Sequence, residues 1–157
     1  MDRQPTDPNE HSPIIVPMLE KVKLKLAKRH DAKRITRLFS FVDRDIKKKD
    51  VEGWIEDREV FVLKERKQIK GAFSYTALGI LGIFGFLYIR KLAVDRESRG
   101  QGLGSLLLAS IKKLTLRMGA TAFFLFSLQK AIRFYKKNRL NGLGRLFWWR
   151  GEDKDEK

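Results

Sequence analysis

A chain of 157 residues that is 43% hydrophobic, 34% charged and 11% aromatic has room for one compact domain that folds unaided, and its composition excludes disorder along its whole length. It has no cysteine and two histidines, His11 and His30; this excludes disulfides, a thiol nucleophile and Cys-ligated zinc, and gives no support to a metal site or a Ser-His-Asp triad. The net charge of +15 is unevenly placed, with no Asp or Glu from Ser98 to Gly151. That field attracts polyanions: a phosphorylated cofactor, a nucleic acid, a ribosomal surface or an acidic protein. Charge alone does not choose among them, nor between any of them and plain solubility.

All four prolines fall between Pro5 and Pro17, so residues 1–20 read as an extended arm, 21–150 as the domain and 151–157 as a charged tail. Asp2, Arg3, Asp7 and Glu10 are incompatible with a secretory signal, and the expected location is the cytoplasm. Lys21, Lys23 and Lys25 alternate with Val22, Leu24 and Leu26 as in a half-buried strand. Asp31 is placed to cap a helix reaching Phe41, and a second short helix covers Ile46 to Ile55. Strands follow at Glu59–Lys64, Ile69–Leu78 and Phe86–Val94. Gly71 to Ile89 is uncharged and long enough to cross a bilayer, but its four glycines suit two buried strands and a turn, so no membrane span is expected. Ser105–Met118 is an amphipathic helix with Leu107, Ile111, Leu114 and Met118 inward, closed by Gly119. A strand at Thr121–Phe126, a helix at Gln129–Asn138 and a terminal strand at Leu146–Trp149 complete the domain.

Between the strand ending at Val94 and the helix starting near Gly104 lies Arg99-Gly100-Gln101-Gly102-Leu103-Gly104. Glycines let a backbone approach a ligand closely, and the first amides of a helix point outward toward negative charge. The predicted result is a pyrophosphate site made largely of main chain. A P-loop would need a lysine after Gly104, and the dinucleotide fingerprint a Gly or Ala where Ser105 stands. The plainer alternative is a glycine-rich turn that merely starts a helix.

The run Leu92-Ala93-Val94-Asp95-Arg96-Glu97-Ser98-Arg99-Gly100-Gln101-Gly102-Leu103-Gly104-Ser105-Leu106-Leu107-Leu108 resembles the acetyl-CoA motif of the GNAT acetyltransferases. Leu26 to Ala32 is similar to that family's first strand and helix, and Ala131-Ile132-Arg133-Phe134-Tyr135 to its late helix. The resemblance implies an α/β fold of α+β type: a mixed, mostly antiparallel sheet with helices on both faces, splayed between the fourth and fifth strands. It implies that acetyl-CoA is the cosubstrate and that no metal takes part. It also implies that main-chain groups of Leu92, Ala93 and Val94 pair with the pantetheine arm, one amide polarising the thioester carbonyl. The diphosphate would then lie on Arg99, Gly100, Gln101, Gly102, Leu103, Gly104 and Ser105.

Tyr135 matches the family tyrosine that returns a proton to the departing thiolate; it also fits a core stripe with Leu128, Ala131 and Ile132. A phenol of ordinary pKa about 10 is protonated at neutral pH, as that role needs. No general base is assigned. Tyr88 stands where many relatives carry a glutamate, which leaves Asp43, Asp45, a water chain or an already neutral amine, while Glu97 falls beside the phosphates. Leu128 stands in place of an asparagine of several relatives, and Arg96 in place of a proline. Lys130, Arg133 and Lys137 share a helix face that suits either adenosine phosphates or solvent. Trp148 and Trp149 suit strand packing better than base stacking, and His30 suits the surface. The implied function is acetyl transfer to a primary amine, a protein N-terminus, a lysine or a small molecule. The positive groove favours an acceptor in an acidic protein or ribosomal context over a polyamine. The alternative is a non-catalytic module that binds CoA or nucleic acid.

Overall fold

The computed structural model describes residues 21–80 and 83–151. The arm expected over 1–20 and all but the first residue of the tail lie outside them. Among the described residues seven strands form one sheet: β1 (Val22–Leu26), β2 (Val60–Glu65), β3 (Gln68–Ile80), β4 (Ile83–Val94), β5 (Ala122–Phe126), β6 (Asn141–Leu143) and β7 (Leu146–Arg150). Their spatial order is β1-β2-β3-β4-β5-β7-β6. Every pairing is antiparallel except β4 with β5.

The helices are α1 (Ala32–Phe39), α2 (Lys48–Glu56), α3 (Leu103–Arg117) and α4 (Ile132–Lys137). Leu103, Leu107, Leu108 and Ile111 of α3 and Tyr135 of α4 pack with Phe73, Leu87, Ile89, Phe123 and Phe147 on one sheet face. Ile35, Leu38 and Phe39 of α1 and Val51 and Ile55 of α2 pack with Val60, Val62, Ala72 and Ala93 on the other. The uncharged stretch from Gly71 to Ile89 is spent on the antiparallel β3–β4 pair, with Phe73, Tyr75, Leu87 and Ile89 buried. Among the described residues no helix is long and apolar enough to cross a membrane.

The decisive irregularity is in β4. Ser74 pairs with Lys91 and Tyr75 with Ile89, so Arg90 is an extra residue facing β3. A bulge reverses the in–out alternation beyond it. Leu87 and Ile89 accordingly face α3, whereas Ala93 joins the α1–α2 core and Leu92 and Val94 turn toward α3. Parallel pairing with β5 covers Phe86, Tyr88 and the residue between them and goes no further, so the two strands part at the bulge. The Arg90 guanidinium fixes the distortion. It donates to the Tyr75 carbonyl at 2.6 Å and to Glu59 Oε2 at 2.6 Å, and lies 5.0 Å over the Trp54 ring.

Three expectations need correction. Asp31 does not cap α1: its carboxylate accepts from the Lys28 amide at 2.9 Å and from Lys64 Nζ at 2.8 Å, closing a 3-10 turn ahead of the helix. The late helix opens as a 3-10 turn over Gln129–Ala131 before α4. Strand β6 had not been expected; all three of its residues are exposed, so they lack an apolar pattern. Gly119 does end α3 as anticipated, with φ +74° just past the last turn.

Replacing Arg90 with alanine leaves the mostly buried Glu59 carboxylate and the Tyr75 carbonyl without their donor. We expect a loss of about 2 kcal/mol in urea unfolding, and a smaller loss for Arg90→Lys, which keeps the charge but not the fork.

Candidate active site

The segment after Val94 is pinned before it turns. The Asp95 amide donates to the Lys70 carbonyl at 2.8 Å, its carboxylate accepts from Arg34 Nη2 at 2.8 Å, and the Ser98 amide donates to the Asp95 carbonyl at 2.9 Å. Gly100 and Gly102 both take φ +79°, the left-handed region that costs other L-residues about 1–2 kcal/mol. Gly102 is the residue before α3, and the first intrahelical bond runs from the Leu106 amide to its carbonyl at 3.0 Å. The amides of Leu103, Gly104 and Ser105 therefore have no acceptor within the helix. No acidic residue lies in this first turn and no side chain caps it. Gly104 serves a different purpose: a Cβ there would stand 2.9 Å from the Phe134 ring.

These amides open into a cleft of about 490 Å³. One wall is Leu92, Ala93 and Val94 of β4 with Arg99, Gly100, Gly102, Leu103, Gly104 and Ser105; the other comes from the segment Leu128–Asn138, including Lys130, Phe134, Tyr135 and Lys137. Every cofactor-binding residue expected from sequence lines it except Gln101, which sits half-buried in the turn. Arg99, Lys130 and Lys137 bring positive charge and, among the described residues, no carboxylate lines the cleft, while Arg133 and Glu97 stay outside it. Val42, Phe134 and Asn138 also line the cleft and were not anticipated; nothing local in the sequence distinguishes them. Leu128, where relatives carry asparagine, is part of the wall.

Tyr135 is packed as a core residue and also reaches the cleft wall. It is 7% exposed, with its ring 5.0 Å from Phe134 and 5.4 Å from Phe147, yet it lines the cleft. Burial pushes its phenol up to about 12, because the phenolate would be poorly solvated. A second cavity of about 200 Å³ adjoins, lined by Tyr88, Ile89, Arg90, Lys91, Leu125 and Phe126; it shares Val42, Leu92, Leu128, Ala131 and Tyr135 with the first. Tyr135 thus stands at the junction of the two.

The base candidates fare unevenly. Asp43 Oδ2 lies 3.1 Å from Lys91 Nζ, and Oδ1 accepts the Asp45 amide at 3.1 Å. The Lys91 bond holds the Asp43 carboxyl below its ordinary value, which makes it a poor proton acceptor. Asp45 is exposed and lines neither cavity. His30 is exposed and 3.4 Å from Asp31. Trp149 is buried on Phe123 at 5.8 Å, as strand packing requires. Among the described residues no group of three or more His, Asp or Glu could hold a metal ion.

The sheet parts between two parallel strands, with a glycine turn and acceptor-free helix amides on one lip of the cleft and a buried tyrosine on the other. The sequence profile of the acetyltransferase (GNAT) domain matches residues 56–138, more than half of the chain. The chain belongs to the GNAT acetyltransferase family. Similar solved structures include Ard1 from Thermoplasma volcanium, 16% identical with TM-score 0.72, covering 83% of this chain and 97% of that one. The structure of yncA from Salmonella typhimurium with its cofactor acetyl-CoA is 17% identical with TM-score 0.68, covering 87% and 97%. N-acetylglutamate synthase from Neisseria gonorrhoeae, complexed with coenzyme A and L-arginine, is 17% identical with TM-score 0.69; the match covers 82% of this chain and 33% of the synthase. At these identities the likeness is one of fold. No curated protein matches the sequence.

The raised phenol has a consequence for stability. The unfolded chain ionises Tyr135 near pH 10 and the folded chain only near 12, so the folded state is favoured below pH 10 and loses that advantage as pH climbs to 12. Chemical denaturation of wild type and Tyr135→Phe across this range should show the wild type losing about 2 kcal/mol more than the variant.

Proposed function

We propose that the protein transfers the acetyl group of acetyl-CoA to a primary amine, with the Arg99–Ser105 turn holding the diphosphate and Tyr135 acting as general acid. The observation that carries this reading is that the acceptor-free amides of Leu103, Gly104 and Ser105 open into the same cleft as Tyr135. Family membership supports it, and so do the acetyl-CoA held by yncA and the coenzyme A held by N-acetylglutamate synthase.

Acetyl-CoA supplies an activated acyl group as a thioester. In this chain the α3 amides and the partial positive charge of the helix start meet the diphosphate, and Arg99, Lys130 and Lys137 add charge along the same cleft. Past Tyr88, β4 has no register pair with β5, so alternate main-chain groups between Ile89 and Val94 are available to the pantetheine arm. As the amine nitrogen bonds to the carbonyl carbon, the C–S bond breaks and the Tyr135 hydroxyl protonates the sulfur. The proton shed by the new amide nitrogen returns through solvent to the phenolate, so the enzyme ends as it began.

The cations of the acceptor-side cavity do not point to an acidic partner. Arg90 is held by Glu59 and Lys91 by Asp43, whereas Arg99, Lys130 and Lys137 line the cofactor cleft. A ribosomal or nucleic-acid context therefore rests on net charge alone.

Isothermal calorimetry with acetyl-CoA and thiol release with amine acceptors test the reading together. Tyr135→Phe should lower kcat by about a hundredfold or more while acetyl-CoA affinity stays within about twofold. Gly102→Ala strains a left-handed residue at the phosphate lip and should weaken acetyl-CoA binding by about tenfold. Absence of acetyl-CoA binding in the wild type would overturn the proposal.

A further inference from the structure

We infer that the acceptor is a weakly basic amine, neutral at working pH, joined to one aromatic ring or an apolar group of that size. The inference rests on the acetyl-transfer reading above and concerns the cavity on the far side of Tyr135.

The first ground is shape and surface. A cavity of about 200 Å³ suits a single ring, since a dry cavity of about 150 Å³ accepts benzene. Tyr88 and Phe126 form part of its wall. Behind them Phe124 stacks on Tyr88 at 5.1 Å, and Phe126 meets Tyr88 edge-on at 6.3 Å. Phe126 is 62% exposed, and Phe86, on the same face of β4 as Tyr88, is 51% exposed. Exposed aromatic surface on a cavity wall, as at Phe126, suits the binding of an apolar group.

The second ground is charge. Arg90 and Lys91 line the cavity, and the nearby carboxylates, Glu59 and Asp43, are already engaged by them at 2.6 and 3.1 Å. Among the described residues, an ammonium group entering here finds no free carboxylate to attract it or to take its proton. The acceptor must arrive neutral. At pH 7.5 about one lysine side chain in 800 is neutral, against about one α-amine in three. The cavity thus favours amines of low basicity independently of the ring it accommodates.

The test measures kcat/KM at saturating acetyl-CoA and pH 7.5 for phenylalaninamide, 4-methylaniline, glycinamide, Nα-acetyl-lysinamide and spermidine. Phenylalaninamide should exceed glycinamide by at least tenfold, and lysinamide and spermidine by at least a hundredfold. The aniline arm distinguishes an amine borne directly on the ring from one carried on an adjacent carbon. Phe126→Ala removes an exposed side chain without disturbing the core, and should pull the phenylalaninamide-to-glycinamide ratio down about tenfold. Glycinamide matching phenylalaninamide, or either Nα-acetyl-lysinamide or spermidine exceeding it, overturns the inference. So does acetyl-CoA binding with no turnover of either ring-bearing amine, phenylalaninamide or 4-methylaniline. Failure to bind acetyl-CoA is a different result, which overturns the acetyl-transfer reading itself.

Discussion

Beyond the Tyr88↔Phe124 pair, β4 runs on to Val94 and β5 to Phe126 without bonding to one another. A buried amide or carbonyl left unmet costs about 1–3 kcal/mol, so two central strands part only where something enforces it and something else can occupy the gap. The enforcement is the extra residue at Arg90. It twists β4 away from β5 and is fixed by a guanidinium that meets a carbonyl, a carboxylate and an indole at once. The same extra residue turns Leu92 and Val94 toward α3, and so decides which atoms line the cleft. Without it Ala93 would face α3 and the edge offered to a ligand would be a different one.

At the lip of that gap the three glycines divide the work. Gly100 and Gly102 supply a left-handed backbone path that other L-residues take only at a cost, whereas Gly104 supplies room for the Phe134 ring. The helix begun there has neither an acidic first turn nor a side-chain cap, so its dipole and free amides remain available to an anion. The missing acidic residues between Ser98 and Gly151 acquire a local meaning. Among the described residues the cleft wall carries Arg99, Lys130 and Lys137 and no carboxylate.

Much of this was legible beforehand because it depends on short-range chemistry. A helix start after alternate glycines, a stripe repeating at helical spacing, and an uncharged run broken by glycines each reflect local geometry. What escaped depends on partners distant in sequence. Asp31 looked like a cap because caps are local, yet it bonds Lys64, thirty-three residues on. Phe134 looked like one more apolar helix residue, and its place beside Gly104 follows only from docking α4 on α3. The Arg90 bulge leaves no mark in the sequence, since arginine in a strand reads as an outward residue. Strand β6, three exposed residues closed by Gly144, carries no period to detect.

The protonation of the site follows from the same burial that shapes it. A phenol raised to about 12 is a weak acid, and against a solvated thiolate it would be a reluctant donor. In the proposed reaction, however, the sulfur would depart beside the same desolvated ring, and desolvation raises the proton affinity of any anion. Donor and acceptor are therefore shifted in the same direction, and the transfer between them keeps its driving force while the phenol stays protonated across the physiological range. On the opposite side nothing comparable prepares a base, because Asp43 is held ionised by Lys91. On the proposed reading the site has an acid and, among the described residues, no matching base, so it would do half of the proton work. The inferred acceptor would supply the other half by arriving neutral, which would make its basicity, as much as its shape, the property on which selection turns.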